Sequence, residues 1–154
     1  MGIEIRKIEN AEEKRRICRV ILEALPEWFG IPEAREEYVS ESADKLFFAA
    51  MDGENPVGFL YLKETGRDTV ELYVMGVLKA RHRTGAGRAL VEAAKRAARE
   101  AGYAFMQVKT VQMGKYAEYD ATNRFYLAMG FKEFEVFPHL WDEWNPCQIY
   151  VMGL

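Results

Sequence analysis

Ala80-Arg81-His82-Arg83-Thr84-Gly85-Ala86-Gly87-Arg88-Ala89-Leu90 is a basic, glycine-containing turn set between an apolar strand pattern and an alanine-rich helix pattern. Glycine lets the backbone approach a ligand closely and adopt positive φ, and a helix opening at such a turn leaves unpaired N–H groups facing any anion there. Arginines add charge-assisted contacts that match phosphate oxygens. The stretch reads as a phosphate cradle, with a plain glycine turn bearing exposed arginines as the alternative. Two familiar cradles are excluded. A dinucleotide fingerprint needs G-x-G-x-x-G, and Leu90 stands where the third glycine belongs. A P-loop needs Gly-Lys-Ser/Thr at its end, and the turn has none.

Around the turn, apolar periodicity sets out a mixed succession of elements. Ile3 and Ile5 alternate with charged residues as in a half-buried strand, and Asn10 reads as the N-cap of a helix whose apolar face is Ile17, Val20, Ile21 and Ala24. A second helix is expected from Pro32 toward Ser42. Residues 45–51, 57–63 and 69–78 read as three successive antiparallel strands, the first two joined by Asp52-Gly53-Glu54-Asn55-Pro56. In the third, Val70, Leu72 and Val74 share one face and Glu71, Tyr73, Met75 and Val77 the other, if the strand is regular. Gly76 suits a bulge or a close backbone approach. A helix over 87–101 carries Leu90, Ala94, Ala97, Ala98 and Ala101 at helical spacing and serves as a crossover to a parallel strand over 104–111. A short helix over 120–129 and strands over 131–137 and 148–152 complete an α/β chain, a single mixed sheet with helices on both faces.

With 154 residues, 49% of them hydrophobic, the chain has the size of one compact domain. A net charge of -3 and a pI near 5.5 argue against general nucleic-acid binding. The charge is uneven, however. Residues 79–99 are strongly basic, whereas Glu133, Glu135, Asp142 and Glu143 lie in a C-terminal stretch without Lys or Arg. The first region suits an anionic ligand, and the second either attracts a cation or is a solvated loop. Cys18 and Cys147 are too few and too far apart for a disulfide framework or a zinc site. The opening residues hold no apolar run of signal-peptide length, no later segment approaches a membrane span, and position 6 is Arg where a myristoylation signal needs Ser or Thr. A cytoplasmic protein without a membrane partner is expected.

The turn resembles the signature of the GNAT superfamily of acyl-CoA-dependent N-acetyltransferases, Arg/Gln-x-x-Gly-x-Gly/Ala between the fourth strand and the third helix. It falls here on His82-Arg83-Thr84-Gly85-Ala86-Gly87, with His82 in place of the usual first residue. Asn123-Arg124-Phe125-Tyr126-Leu127-Ala128-Met129-Gly130-Phe131 is similar to a second family pattern of aromatic or Leu, Tyr, three residues and Gly-Phe. The resemblance covers nearly the whole chain. It implies one acetyltransferase domain over residues 1–154, with a mostly antiparallel central sheet, that moves an acetyl group from the cosubstrate acetyl-CoA directly to a primary amine. No metal is expected.

The same resemblance implies residue roles. Arg83, Thr84, Gly85, Ala86, Gly87 and Arg88 would hold the coenzyme A pyrophosphate, and the strand edge at Val77 and Leu78 would bind the pantetheine amides as another strand does. A backbone N–H near Gly76, Val77 or Leu78 would face the oxyanion. Many relatives carry an asparagine at the position of Tyr119; Asn123, nearer the tyrosine, is the candidate here for that cofactor contact. Tyr126 falls on the family tyrosine that protonates the departing thiolate. Glu71 stands at the spacing of a glutamate that is the general base in several members; an exposed strand glutamate is the other reading. A base is useful because an amine with a pKa of about 10.4 is mostly protonated near neutrality.

The acceptor side is less defined. Trp28, Phe29 and Tyr38, and then Phe137, His139, Trp141 and Trp144, fall in segments that line the acceptor pocket in the family. Aromatics there would enclose a small amine, with Asp142 or Glu143 attracting its charge. Core packing or contacts within a homodimer account for them equally. A small-molecule amine, a peptide or protein amine, and a non-catalytic acyl-CoA-binding module of the same fold are the readings to be separated.

Overall fold

The computed structural model describes residues 2–154. Its elements are β1 (Glu4–Ile8), α1 (Ala11–Glu23), α2 (Pro32–Glu41), β2 (Leu46–Asp52), β3 (Asn55–Glu64), β4 (Thr69–Val77), α3 (Ala86–Glu100), β5 (Phe105–Val111), α4 (Ala117–Ala128), β6 (Lys132–Phe137) and β7 (Cys147–Gly153). The strands form one seven-stranded sheet in the order β1-β2-β3-β4-β5-β7-β6. β4 and β5 are parallel, as a strand pair joined by the α3 crossover must be, while β1/β2, β2/β3, β5/β7 and β6/β7 are antiparallel. The contacts gather into two compact units. One runs to Lys63 and adds Leu72–Ala97; the other comprises Glu64–Glu71 and Ala98–Leu154.

In the first unit α1 begins as expected, with the Asn10 side chain accepting from the Glu13 N–H at 2.9 Å. Its buried residues are Lys14, Ile17, Cys18, Ile21 and Leu22. Val20 and Ala24, expected on the buried face, are exposed instead. The helix turns Leu22 and Cys18 inward against Phe47, Ala49, Met51, Phe59 and Tyr61 of β2 and β3. Phe47, Phe59 and Tyr61 stack there with centroids 5.3 to 6.3 Å apart. Strand alternation sends Gly58 to the opposite side, where the nearest helical side chain is Leu90 of α3, so this unit has helices on both faces of its strands.

The hairpin between β2 and β3 is tighter than the sequence suggested. Asp52 pairs with Asn55 around Gly53-Glu54, Gly53 has φ 62°, and β3 includes Pro56. Proline brings no N–H to the ladder, and the register shifts between Ala50 and Met51 at that level. β4 departs from strict alternation, since the sequence neighbours Tyr73 and Val74 both pack toward the α1 cluster. Gly76 is a close approach of backbone to helix. A Cβ there would lie 3.0 Å from both Ile21 Cγ2 and Leu25 Cδ1.

In the second unit β7 lies between β5 and the edge strand β6, and a bulge between Glu133 and Glu135 leaves Phe134 outside the ladder and exposed. α4 starts earlier than expected, at Ala117, and it buries Asn123 and Tyr126, while Phe125 is half-buried.

Because Ile21 and Leu25 are themselves buried, Gly76→Ala is expected to lower the free energy of unfolding by about 1–3 kcal/mol through overpacking, measured by urea titration.

Candidate active site

β4 ends at Val77, and the last rung of its ladder runs from the Leu78 N–H to the Val57 carbonyl at 2.9 Å. That commits the Leu78 amide, so of the three N–H groups considered for an oxyanion this one is engaged in the sheet. A single 3-10 turn, Lys79–Arg81, carries the chain away from the strand. The His82 ring folds back, its Nε2 lying 2.8 Å from the Val77 carbonyl, and sets its edge against Trp28 at 6.0 Å between centroids. The irregular first residue of the motif therefore braces the strand end. Thr84 also turns inward, its hydroxyl donating to the Arg81 carbonyl.

The backbone then enters the left-handed region twice, at Arg83 (φ 64°) and Gly85 (φ 91°). Glycine takes this conformation freely, whereas for arginine it costs about 1–3 kcal/mol. Arg83 is the sole non-glycine residue with positive φ among the described residues. The first intrahelical bond of α3 runs from the Ala89 N–H to the Gly85 carbonyl at 3.0 Å, so the amides of Ala86, Gly87 and Arg88 precede the ladder and carry the positive end of the helix dipole.

The basic residues sort into two groups. Lys79 is paired with Glu27 at 2.6 Å and Arg81 with Asp52, which anchor the two sides of the turn. Arg83 and Arg88 have no carboxylate partner among the described residues. Two uncompensated guanidinium groups beside three open amides make an anion site whose chemistry suits a diphosphate.

The second unit holds a polar cluster at the start of β4 and on β5, α4 and β7. Glu71, read from sequence as either base or exposed strand residue, is buried, at 4% exposure. Its Oε1 accepts from Lys109 Nζ at 3.0 Å. Tyr126 is buried too, with ring centroids 5.6 Å from Phe125, 5.7 Å from Phe131 and 6.3 Å from Tyr150. Burial pushes its phenol well above the ordinary tyrosine value, and Tyr119 and the charge of Glu71 push in the same direction. Tyr126 consequently keeps its proton throughout the neutral range, as a proton donor must. Burial also raises Cys147 to about 11, with Lys109 opposing the shift and Glu71 adding to it.

Asn123, the candidate for a cofactor contact, is engaged inside the protein. It is fully buried, its Nδ2 donates to the Val111 carbonyl at 2.9 Å and the Tyr119 carbonyl at 2.6 Å, and its Oδ1 accepts from the Tyr150 hydroxyl. Every polar group of the side chain is used inside the protein, binding α4 to β5 and β7. Asp142 is occupied as well. It accepts from the backbone N–H groups of Trp144 and Asn145, both at 2.8 Å, and the Asn145 side chain foremost holds its carboxyl below the usual range. It is a loop staple. Lys109 was missed by sequence reasoning, although a signal existed: Gln107 and Lys109 put polar groups on one face of β5, an interior strand of the sheet.

Among the described residues, no group of three or more His, Cys, Asp and Glu is placed to hold a metal ion. None of the helices is long and apolar enough to cross a membrane, again among the described residues.

A mixed sheet with a crossover helix that opens on an uncompensated basic turn is the arrangement expected from the acetyltransferase resemblance. The family model of the GNAT acetyltransferase domain matches residues 43–133, and the chain belongs to that family. No curated protein matches it. Solved structures do. A GNAT-family protein from Desulfovibrio desulfuricans is 21% identical with a TM-score of 0.82 over 99% of each chain. The ribosomal-protein-S18-alanine N-acetyltransferase from Escherichia coli is 18% identical with a TM-score of 0.75, covering 98% of this chain and 93% of its own. An aminoglycoside 6'-N-acetyltransferase complexed with coenzyme A gives 18% and 0.75, covering 97% and 96%. At these identities the likeness is one of fold, and the acceptors of these neighbours are of different kinds.

Asn123→Ala is expected to cost about 2–4 kcal/mol of stability, because it strands the Tyr150 hydroxyl and two carbonyls in the interior. Tyr150→Phe, which deletes one bond of the three, costs about 1 kcal/mol; chemical denaturation of both variants makes the comparison.

Proposed function

We propose that the enzyme transfers the acetyl group of acetyl-CoA directly to a primary amine of a small molecule, and that residues 1–154 act as one catalytic domain. The observation that carries the donor assignment is the turn, with positive φ at Arg83 and Gly85, open amides at the start of α3, and two arginines without carboxylate partners. In this reading the amides of Gly85, Ala86, Gly87 and Arg88 and the side chains of Arg83 and Arg88 hold the pyrophosphate. The strand end at Val77 and Leu78 lies alongside the pantetheine arm.

Glu71 takes the proton of the acceptor ammonium, directly or through one water. The neutral amine then adds to the thioester carbon, the C–S bond breaks, and Tyr126 gives its proton to the leaving sulfur. Thiol and phenol differ by about 1.5 units in model compounds, and burial of Tyr126 widens the gap. The step is uphill unless the proton released by the amine replenishes the phenol, so Tyr126 assists departure without controlling it alone. Both thiols are buried and unpaired, which fits a reducing compartment and the cytoplasmic location expected from sequence.

A small acceptor is favoured by the half-buried row Phe29, Tyr38 and Tyr73, whose successive ring centroids are 6.1 and 5.9 Å apart, edge to face. Such rings offer apolar walls to a compact amine. A protein amine is the second reading, favoured by the exposed Trp141 and Trp144 on the β6–β7 connection, rings that suit an extended partner.

A panel of small primary amines and of peptides, offered with acetyl-CoA and followed by thiol release, separates the readings. Turnover on small amines alone is expected. Turnover confined to peptides would replace this acceptor class, and acetyl-CoA binding without turnover on any amine would point to a non-catalytic module. Arg83→Ala and Arg88→Ala should each raise the Kd for acetyl-CoA about 10-fold, more at low salt than at high. Glu71→Gln and Tyr126→Phe should each lower kcat by about 10²–10⁴ with acetyl-CoA binding kept.

A further inference from the structure

Lys109 stands out because it is paired with a carboxylate that the fold buries. Glu71 and Gln107 are opposite one another in the parallel β4–β5 register, and Lys109, two residues on, shares the face of Gln107. The Gln107 amide goes elsewhere, to Thr65 Oγ1 at 2.8 Å. Lys109 Nζ reaches Glu71 Oε1 at 3.0 Å instead, and of the two side chains Lys109 is the more exposed, at 28% against 5%.

The other titratable groups facing this pair are Tyr126 of α4, with Tyr119 beside it, and Cys147 of β7. Burial keeps Tyr126 and Cys147 protonated and uncharged at neutral pH. Lys109 is thus a cation in direct contact with the carboxylate.

We infer that Lys109 is a positioning residue for Glu71, its ammonium fixing one carboxylate oxygen and keeping the side chain ionised, so that Glu71 meets the acceptor as an anion in one orientation. An opposite charge within hydrogen-bond reach favours the charged form of a carboxylate that burial would otherwise neutralise. Lys109 itself touches neither the amine nor the thioester in this arrangement. The inference rests on the reading of Glu71 as the general base, and its test keeps the two apart.

The experiment is the pH dependence of kcat/KM for the best amine of the panel, in the full chain and in Lys109→Met, Lys109→Arg, Glu71→Gln and the Glu71→Gln/Lys109→Met pair. In Lys109→Met the acid limb should move up by about 1–3 pH units, so that activity lost at neutral pH returns on the alkaline side, with KM for acetyl-CoA unchanged. Lys109→Arg should restore the limb toward its original place. In the Glu71→Gln background, removal of Lys109 should have little further effect on rate.

A Lys109→Met profile lowered equally at every pH, or unmoved, would overturn the positioning role. An acid limb that survives in Glu71→Gln would instead overturn the base assignment. Removing the ammonium from beside a buried carboxylate can prevent folding. Should Lys109→Met not fold, Lys109→Gln keeps a hydrogen bond to Glu71 without the charge and is expected to show the same displaced limb, an unmoved limb counting against the proposal.

Discussion

Everything at the donor end depends on where the sheet ladder stops. The Leu78 N–H closes the last rung on Val57, and a few residues later the backbone has begun a helix whose first amides have no carbonyl to bind. Only a very short link can join those two states, and the link is paid for in conformation: Arg83 sits where arginine is strained, Gly85 where glycine alone is comfortable. His82 on Val77, Lys79 on Glu27 and Arg81 on Asp52 hold it there. The arginines nearest the open amides are left unneutralised, so local strain and local charge both favour a bound anion.

The second unit solves a different problem, that of polar groups in the interior. Glu71, Thr110, Asn123 and Gln148 are all buried. An interior amide or carboxylate is costly unless its hydrogen bonds are complete. Asn123 completes them with Val111, Tyr119 and Tyr150, which fixes α4 and hence the backbone from which Tyr126 projects. Gln148 donates to the Ile149 carbonyl at 3.0 Å and the Glu135 carbonyl at 3.3 Å, holding β6 beside β7. A side chain that locks a helix in place and the one proposed to protonate the leaving thiolate are thus neighbours on α4, one turn apart.

That adjacency explains what could and could not be read from the sequence. The order of elements was legible because apolar periodicity and turn residues are local, and Asn10 as a helix cap and Pro32 as a helix start needed nothing beyond their neighbours. The glycine turn was legible for the same reason. Val20 and Ala24 were misplaced because helical periodicity gives a face without saying how wide the buried stripe is. The surroundings of Asn123 were not legible because its partners come from β5 and β7 as well as α4, and no local signal says whether an amide will be satisfied by protein or by ligand. Lys109 escaped notice since a single charged residue in a strand resembles a solvated position until its neighbour strand is known.

The burial of Cys18 and Cys147 has a consequence for an enzyme that liberates a thiol on every cycle. Burial raises these two cysteines to about 12 and about 11, so almost none of either is present as thiolate at neutral pH. Mixed-disulfide formation proceeds through the thiolate and requires access to it. The protein can therefore work in its own accumulating product, or in its oxidised dimer, without becoming covalently tagged by either, and its resistance to that fate is a by-product of core packing.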